Sequence, residues 1–305
     1  MSVQGTNKLR GIIPAIVTPY REDGAIDFDA LERQAAYLCD AGVHGLFVSG
    51  GTGEGAYLTT AEKVEVLRRV RDVSGGRQFL CAAAIKPSTK AVLEEMNVLE
   101  AGEPDYLVAV TPFYHTMTQR DVFEHYRIIA EAASAPVIIY NIPPRTHNPV
   151  KLDTIYELAH VDNIAGIKDS SGDFLTFGRG VGSGLTPPGF SWIQGEDYLC
   201  AATLLATGDG IVSGLSNARI RPYLDMFDAY EREDWGRVRL CQRRIDRLYE
   251  IIHCCSDGNA AIKAATELAG RGTRWMRQHS QTVSAEQLAS VTAILDHFDE
   301  AEDAQ

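Results

Sequence analysis

Lys168 closes the apolar run IAGIK (164–168), so a strand built from that run delivers an amine into a confined, mostly dry surrounding. Burial disfavours the ammonium; lowering a lysine pKa from about 10.4 toward 7 takes roughly 4 kcal/mol of desolvation or cationic repulsion, within reach of a buried site. A neutral lysine attacks ketones, and the resulting imine is an electron sink that permits carbon–carbon bonds to form or break beside the former carbonyl. The competing reading is a structural ion pair of Lys168 with Asp169 or Glu196. Lys86 competes as nucleophile, but it precedes Pro87 near a helix start, where a solvated loop lysine is expected.

Other reactive types gather around the same kind of position. Tyr140 ends the run VIIY (137–140) and is placed to pass a proton, whereas the plainer reading is a core tyrosine with its hydroxyl bonded to a carbonyl. In SGGTGEG (49–55) the glycines let backbone N–H groups converge on an anion while Thr52 adds a hydroxyl. With no G-K-[ST] following, a carboxylate suits the turn better than a phosphate, and a plain tight turn is the alternative. Arg145, in a Pro-rich loop, is a bidentate ligand for a second carboxylate or simply a surface arginine. His115 and His147, with Asp169 or Glu196, would be needed for a metal-dependent aldolase; no H-E-x-x-H or H-x-H spacing supports a metal site.

The elements that would position these groups alternate. Continuously apolar runs at 11–18, 45–48, 79–84, 106–110, 137–140, 164–168, 191–194 and 210–213 read as strands buried on both faces. Helical patterns at 27–41, 60–73, 88–100, 119–133, 151–159, 198–206 and 218–231 separate or follow them. Eight such units predict an α/β protein, a closed (β/α)8 TIM barrel over 1–231, with reactive groups after the C-terminal ends of its strands. An open doubly wound sheet is the alternative, but no G-x-G-x-x-G turn follows the first strand. Helices predicted at 235–254, 258–270 and 285–299 make 232–305 a helical extension.

Composition narrows the partners. The chain has 305 residues, with 29 Lys+Arg against 41 Asp+Glu for a formal charge of −12, a field that repels nucleic acid and anionic membrane surfaces. No run approaches the roughly 18 apolar residues of a membrane span. The start, MSVQGTNKLR, has no apolar stretch, so a cytoplasmic location is expected. The six cysteines, without a CxxC pair, read as reduced thiols.

The ordered set GIIPAIVTPY, GGTGE, TPFY, YNIPPRT, GIKDSSGD and GDGIVSGLSN resembles the dihydrodipicolinate synthase and N-acetylneuraminate lyase superfamily over residues 10 to 270. The resemblance implies a usually tetrameric barrel that uses pyruvate or another 2-keto acid through a lysine Schiff base, without a cofactor. By position it makes Lys168 the Schiff-base lysine, Tyr140 the proton shuttle and Tyr114 a second relay tyrosine that acts across a subunit interface. Gly51 and Thr52 match the carboxylate turn, Gly195 and the Val212 carbonyl match pocket contacts, and Arg145 matches the ligand of an acidic aldehyde such as aspartate semialdehyde. The chain departs from the pattern at Gly51, where synthases carry threonine and sialic acid lyases serine. Without that hydroxyl, the resemblance leaves open cleavage or dehydration of a 2-keto-3-deoxy sugar acid, cleavage of N-acetylneuraminate, or keto-acid binding without turnover. Asn259 is followed by Ala260 where many synthases have proline, and Thr60 and Lys63 replace the feedback-site histidines, so feedback by lysine is not expected.

Overall fold

A computed structural model of the chain describes residues 8–303; residues 1–7, most of the stretch on which the expectation of a cytoplasmic location rests, lie outside the described residues. In chain order the elements are β1 (Gly11–Pro14), α1 (Phe28–Asp40), β2 (Gly45–Val48), α2 (Thr60–Ser74), β3 (Phe79–Ala84), α3 (Thr89–Leu99) and β4 (Tyr106–Val110). There follow α4 (Gln119–Ala132), β5 (Val137–Asn141), α5 (Pro143–Thr146), α6 (Leu152–Leu158), β6 (Ile164–Asp169), α7 (Phe174–Gly182), β7 (Ser191–Gln194), α8 (Cys200–Leu205) and β8 (Gly210–Ser213). The chain ends in α9 (Arg221–Glu231), α10 (Trp235–Tyr249), α11 (Gly258–Leu268) and α12 (Ala285–Asp303).

All eight strands are parallel, in the order β1-β8-β7-β6-β5-β4-β3-β2. The ring is completed by a single parallel bridge between Ala15 and Phe47, where the Ile16 N–H donates to the Phe47 carbonyl at 3.1 Å. This is the expected (β/α)8 barrel. The first strand is shorter than its apolar run: the strand ends at Pro14, Ala15 makes the bridge to Phe47, and Ala15 to Thr18 are all buried. Burial, not ladder pairing, made that stretch apolar.

Successive residues face opposite sides of a strand, so each strand feeds two cores. Ile13, Phe47, Val108, Ile138, Ile193 and Val212 fill the barrel interior. Ile12, Leu46, Leu107, Ile139, Ile167 and Ile211 pack outward against the helices. Polar caps fix where helices begin: the Thr59 and Glu62 side chains form a capping box on α2, as Thr118 and Asp121 do on α4. All six cysteines are free thiols, and four of them are buried. No helix among the described residues is long and apolar enough to cross a membrane.

Between α2 and α3 the fold buries a charge pair. Lys63 Nζ lies 2.7 Å from Glu95, with both side chains at most 1% exposed, and Lys86 reaches the same carboxylate at 3.2 Å. Burial pushes the Lys63 pKa down and Glu95 opposes that shift. Removing one partner leaves a buried charge uncompensated, so Glu95→Gln is expected to cost about 3 to 5 kcal/mol of unfolding free energy. Urea denaturation measures it, and a loss of less than about 1 kcal/mol would show that the pair holds little.

Candidate active site

The register of β5 against β6 sets Tyr140 directly beside Lys168. Both point into the barrel mouth and are buried, at 4% and 5% exposure. The Lys168 Nζ sits 3.9 Å from the centre of the Tyr140 ring and 4.7 Å from that of Phe47. Among the described residues no carboxylate makes an ion pair with it, which overturns the structural ion pair with Asp169 or Glu196. Asp169 is turned away: its carboxylate accepts from Asn141 Nδ2 at 2.6 Å and Ser171 Oγ at 2.8 Å. Lys86, the rival nucleophile, pairs with Glu95 and lies outside the cavity wall.

Gly195 is a glycine because of its neighbours. A Cβ there would sit 2.0 Å from Ser170 Oγ, 3.0 Å from the Asp169 carbonyl and 3.1 Å from Lys168 Cε, so a side chain would collide with Ser170 and crowd the lysine. On the other side of the mouth, the 49–55 turn is tightly wound. Ser49 and Glu54 take left-handed φ values of 56° and 53°, and a Cβ at Gly55 would fall 1.7 Å from the Ser49 carbonyl. The Gly51 carbonyl accepts from the Glu54 N–H at 3.1 Å and the Gly50 carbonyl from the Gly55 N–H at 2.9 Å. The N–H groups of Gly51 and Thr52 have no partner among the described residues, while both residues line the cavity. Unpaired amides at a cavity wall are donors waiting for an acceptor.

The cavity measures about 410 Å³ and opens at the C-terminal ends of the strands. It brings together Lys168, Tyr140, Gly51, Thr52, Arg145, Gly195 and Val212, all singled out from sequence. Arg145 stands on the short α5, exposed and free of any ion pair among the described residues. Tyr114 is not brought in: it is 89% exposed, at φ 80°, on a loop whose carbonyls at Pro112 and His115 are held by Asn148. His115 and His147 are exposed, and no group of three or more metal-ligating side chains forms among the described residues.

Sequence reasoning passed over part of the wall. Glu54, Tyr57, Asp257 and Met276 line the cavity too, as does Asn259, noted only as a departure from the family pattern. Three of these five lie beyond residue 231, and chain spacing carries no signal for contacts across so long a separation. Glu196, weighed only as an ion-pair or metal partner, also lines the cavity. Burial pushes the carboxyls of Asp169, Glu196 and Asp197 above their usual range, and for the last two the Lys168 charge opposes the shift. The Asp197 Oδ1 accepts from Ser213 Oγ at 2.5 Å and from the Tyr223 hydroxyl at 2.6 Å.

A (β/α)8 barrel with a buried, unpaired lysine in register with a tyrosine at its C-terminal mouth has the architecture of a class I aldolase-type lyase. The model of the dihydrodipicolinate synthetase family matches residues 8–298, and the chain belongs to that family. It is 34% identical over 264 residues to an uncharacterised DapA-like lyase of Halobacterium salinarum, covering 86% of this chain and 85% of that protein. It is 34% identical over 257 residues to the 4-hydroxy-tetrahydrodipicolinate synthase of Corynebacterium aurimucosum, covering 84% and 83%. Among solved structures, the Acinetobacter baumannii dihydrodipicolinate synthase in complex with pyruvate superposes with a TM-score of 0.89 at 26% identity, covering 95% of this chain and 99% of that one. The chain is thus a lyase of this family.

The raised carboxyls make stability depend on pH. A carboxyl whose folded pKa exceeds its unfolded value binds more protons in the native state, so its contribution to stability falls as pH rises from about 4 through the raised value. Asp197→Asn keeps an acceptor for Ser213 and Tyr223 and removes that titration. Its unfolding free energy, followed by urea melts from pH 4 upward, is expected to decline less with pH than that of the parent; an identical decline would contradict the buried-acid account.

Proposed function

We propose that the protein is a Schiff-base lyase acting on pyruvate or a related 2-keto acid, in the manner of a dihydrodipicolinate synthase. The observation that carries this reading is a buried Lys168 with no counter-ion among the described residues, paired across the sheet with Tyr140. The Lys168 amine, once it has given up its proton, adds to the keto carbon. Water leaves as Tyr140 supplies a proton to the carbinolamine oxygen; the resulting phenolate takes the proton that leaves the adjacent carbon, so Tyr140 is restored while the iminium accepts the electron pair and becomes the enamine. The enamine attacks an aldehyde, Tyr140 protonates the new alkoxide, and water releases the product. The unpaired amides of Gly51 and Thr52 hold the keto acid carboxylate, Gly195 leaves room for the lysine, the Val212 carbonyl borders the pocket, and Arg145 receives a distal acid group, as on aspartate semialdehyde.

A second reading, cleavage or dehydration of a 2-keto-3-deoxy sugar acid, is favoured by one observation. Among the described residues, leaving out Gly51 and its two chain neighbours, the heavy atom within 4 Å of a Cβ built on Gly51 is the Tyr140 hydroxyl, at 3.8 Å, so the place of a relay hydroxyl is open space. Of the turn's hydroxyls, Thr52 lines the cavity and Ser49 does not; the Ser49 Oγ is buried without a partner.

Borohydride reduction in the presence of pyruvate is expected to leave a pyruvyl adduct on Lys168, located by peptide mass, and none in Lys168→Ala. Absence of the adduct, or its persistence in the variant, sinks the proposal. The same preparation, given pyruvate with aspartate semialdehyde and a panel of 2-keto-3-deoxy acids, separates the readings by which mixture turns over. Adduct formation with no turnover anywhere would indicate a keto-acid binding protein.

In this proposal Tyr114 serves the cavity of a neighbouring copy in a homotetramer, since its exposed side chain lies outside its own. Light scattering is expected to give the mass of four chains, and Tyr114→Phe to slow turnover by roughly 10² to 10⁴. A monomer of full activity would refute the assignment.

A further inference from the structure

The turn that offers its amides to the cavity is strained and is held from outside the barrel. Glu54 keeps a left-handed backbone, at φ 53°, that a non-glycine residue holds only where its surroundings fix it, so its side chain must be tied down. The Glu54 Oε1 lies 2.7 Å from Lys263 Nζ, with side-chain exposures of 2% and 0%. The other oxygen accepts from the Arg277 backbone N–H at 3.0 Å. Lys263 stands on α11, and one helical turn earlier on the same face Asn259 donates to the Gly51 carbonyl at 3.4 Å. In a trans peptide the Gly51 carbonyl and the Thr52 N–H point in opposite directions, so fixing the carbonyl aims the amide. The Lys263 Nζ is also 4.2 Å from the centre of the buried Tyr20 ring.

We infer that α11 is a clamp on the 51–54 turn, with Asn259 and Lys263 as positioning residues that set the Gly51 and Thr52 amides for a carboxylate. The inference rests on the keto-acid reading of the site and assigns the C-terminal extension a part in substrate recognition. Lys263 touches no substrate; it acts through Glu54. Disturbing it therefore weakens ligands that carry a carboxylate and spares ketones that lack one.

The test compares pyruvate with acetone in borohydride trapping on Lys168, reading the concentration that gives half-maximal adduct. In Lys263→Met the value for pyruvate is expected to rise about tenfold or more, because misplacement of binding groups by an ångström carries penalties of that order. The value for acetone is expected to stay within about twofold of the parent, a distinction that general loosening of the barrel would not make. Should Lys263→Met fail to fold with Glu54 left unpaired, Glu54→Gln/Lys263→Met removes both charges and is expected to show the same split. Equal weakening of both ketones, or no change for pyruvate, overturns the clamp. Failure of the parent protein to trap pyruvate is a separate outcome: it rejects the keto-acid reading and the clamp with it.

Discussion

An amine buried without a counter-ion is the constraint around which the barrel mouth is arranged. Removing a charge from water costs several kcal/mol, and the usual remedy is a carboxylate partner. Here the partners of Lys168 are ring faces of Tyr140 and Phe47, contacts worth up to about 2 kcal/mol when desolvated. The nearby acids are occupied elsewhere, Asp169 by Asn141 and Ser171, Asp197 by Ser213 and Tyr223. Those hydrogen bonds stabilise the rim and also keep carboxylates off the amine. The arrangement depends in turn on strand register. A slip of one residue in β6 would turn Lys168 to the helix layer and carry Asp169 inward.

Much of this was legible because parallel strands buried on both faces read as unbroken apolar runs. A lysine ending such a run has few places to go except the mouth of the barrel. The eight runs matched eight strands, and Tyr140 and Lys168, at the ends of consecutive runs, came out as cross-strand neighbours. The helix α7 was not read at all. Its sequence, FLTFGRGVG, carries glycines that weaken a helix by about 1 kcal/mol each relative to alanine. Packing overrides that preference: Phe177 is buried edge-on against Trp192, and a Cβ on Gly180 would fall 2.2 Å from the Trp192 ring. The short α5 escaped for the opposite reason, because Pro143 and Pro144 signal a loop yet also suit the first turn of a helix.

Less legible were the parts of the site that arise from distant segments. Asp257, Asn259 and Met276 reach the cavity from the C-terminal extension, about 200 residues after the turn they face. One signal was available: Lys263 interrupts the small apolar stretch AAIKAAT in α11, and a charge set among buried alanines must have a partner. Tyr114 shows the reverse limit. Motif position assigns it to a site, but a single chain leaves it in solvent, so the role proposed for it requires a second copy of the chain.

Three parts of the chain therefore meet at one cavity with separable tasks. Strands β5 and β6 supply the lysine and tyrosine, the β2 turn offers unpaired backbone amides, and α5 with the C-terminal helices forms the outer wall. Backbone amides bind an anion whatever side chains surround them, so in the proposed function the turn would serve any keto acid. The amine is likewise indifferent to what lies beyond the ketone. On the proposed reading discrimination comes from the wall, where Arg145 would favour a distal acid and Glu196 and Asp257 would offer partners to hydroxyls. The open space at Gly51, facing the Tyr140 hydroxyl, adds to that choice, because a substrate hydroxyl or a water entering it would meet the same proton donor that a threonine side chain would otherwise meet.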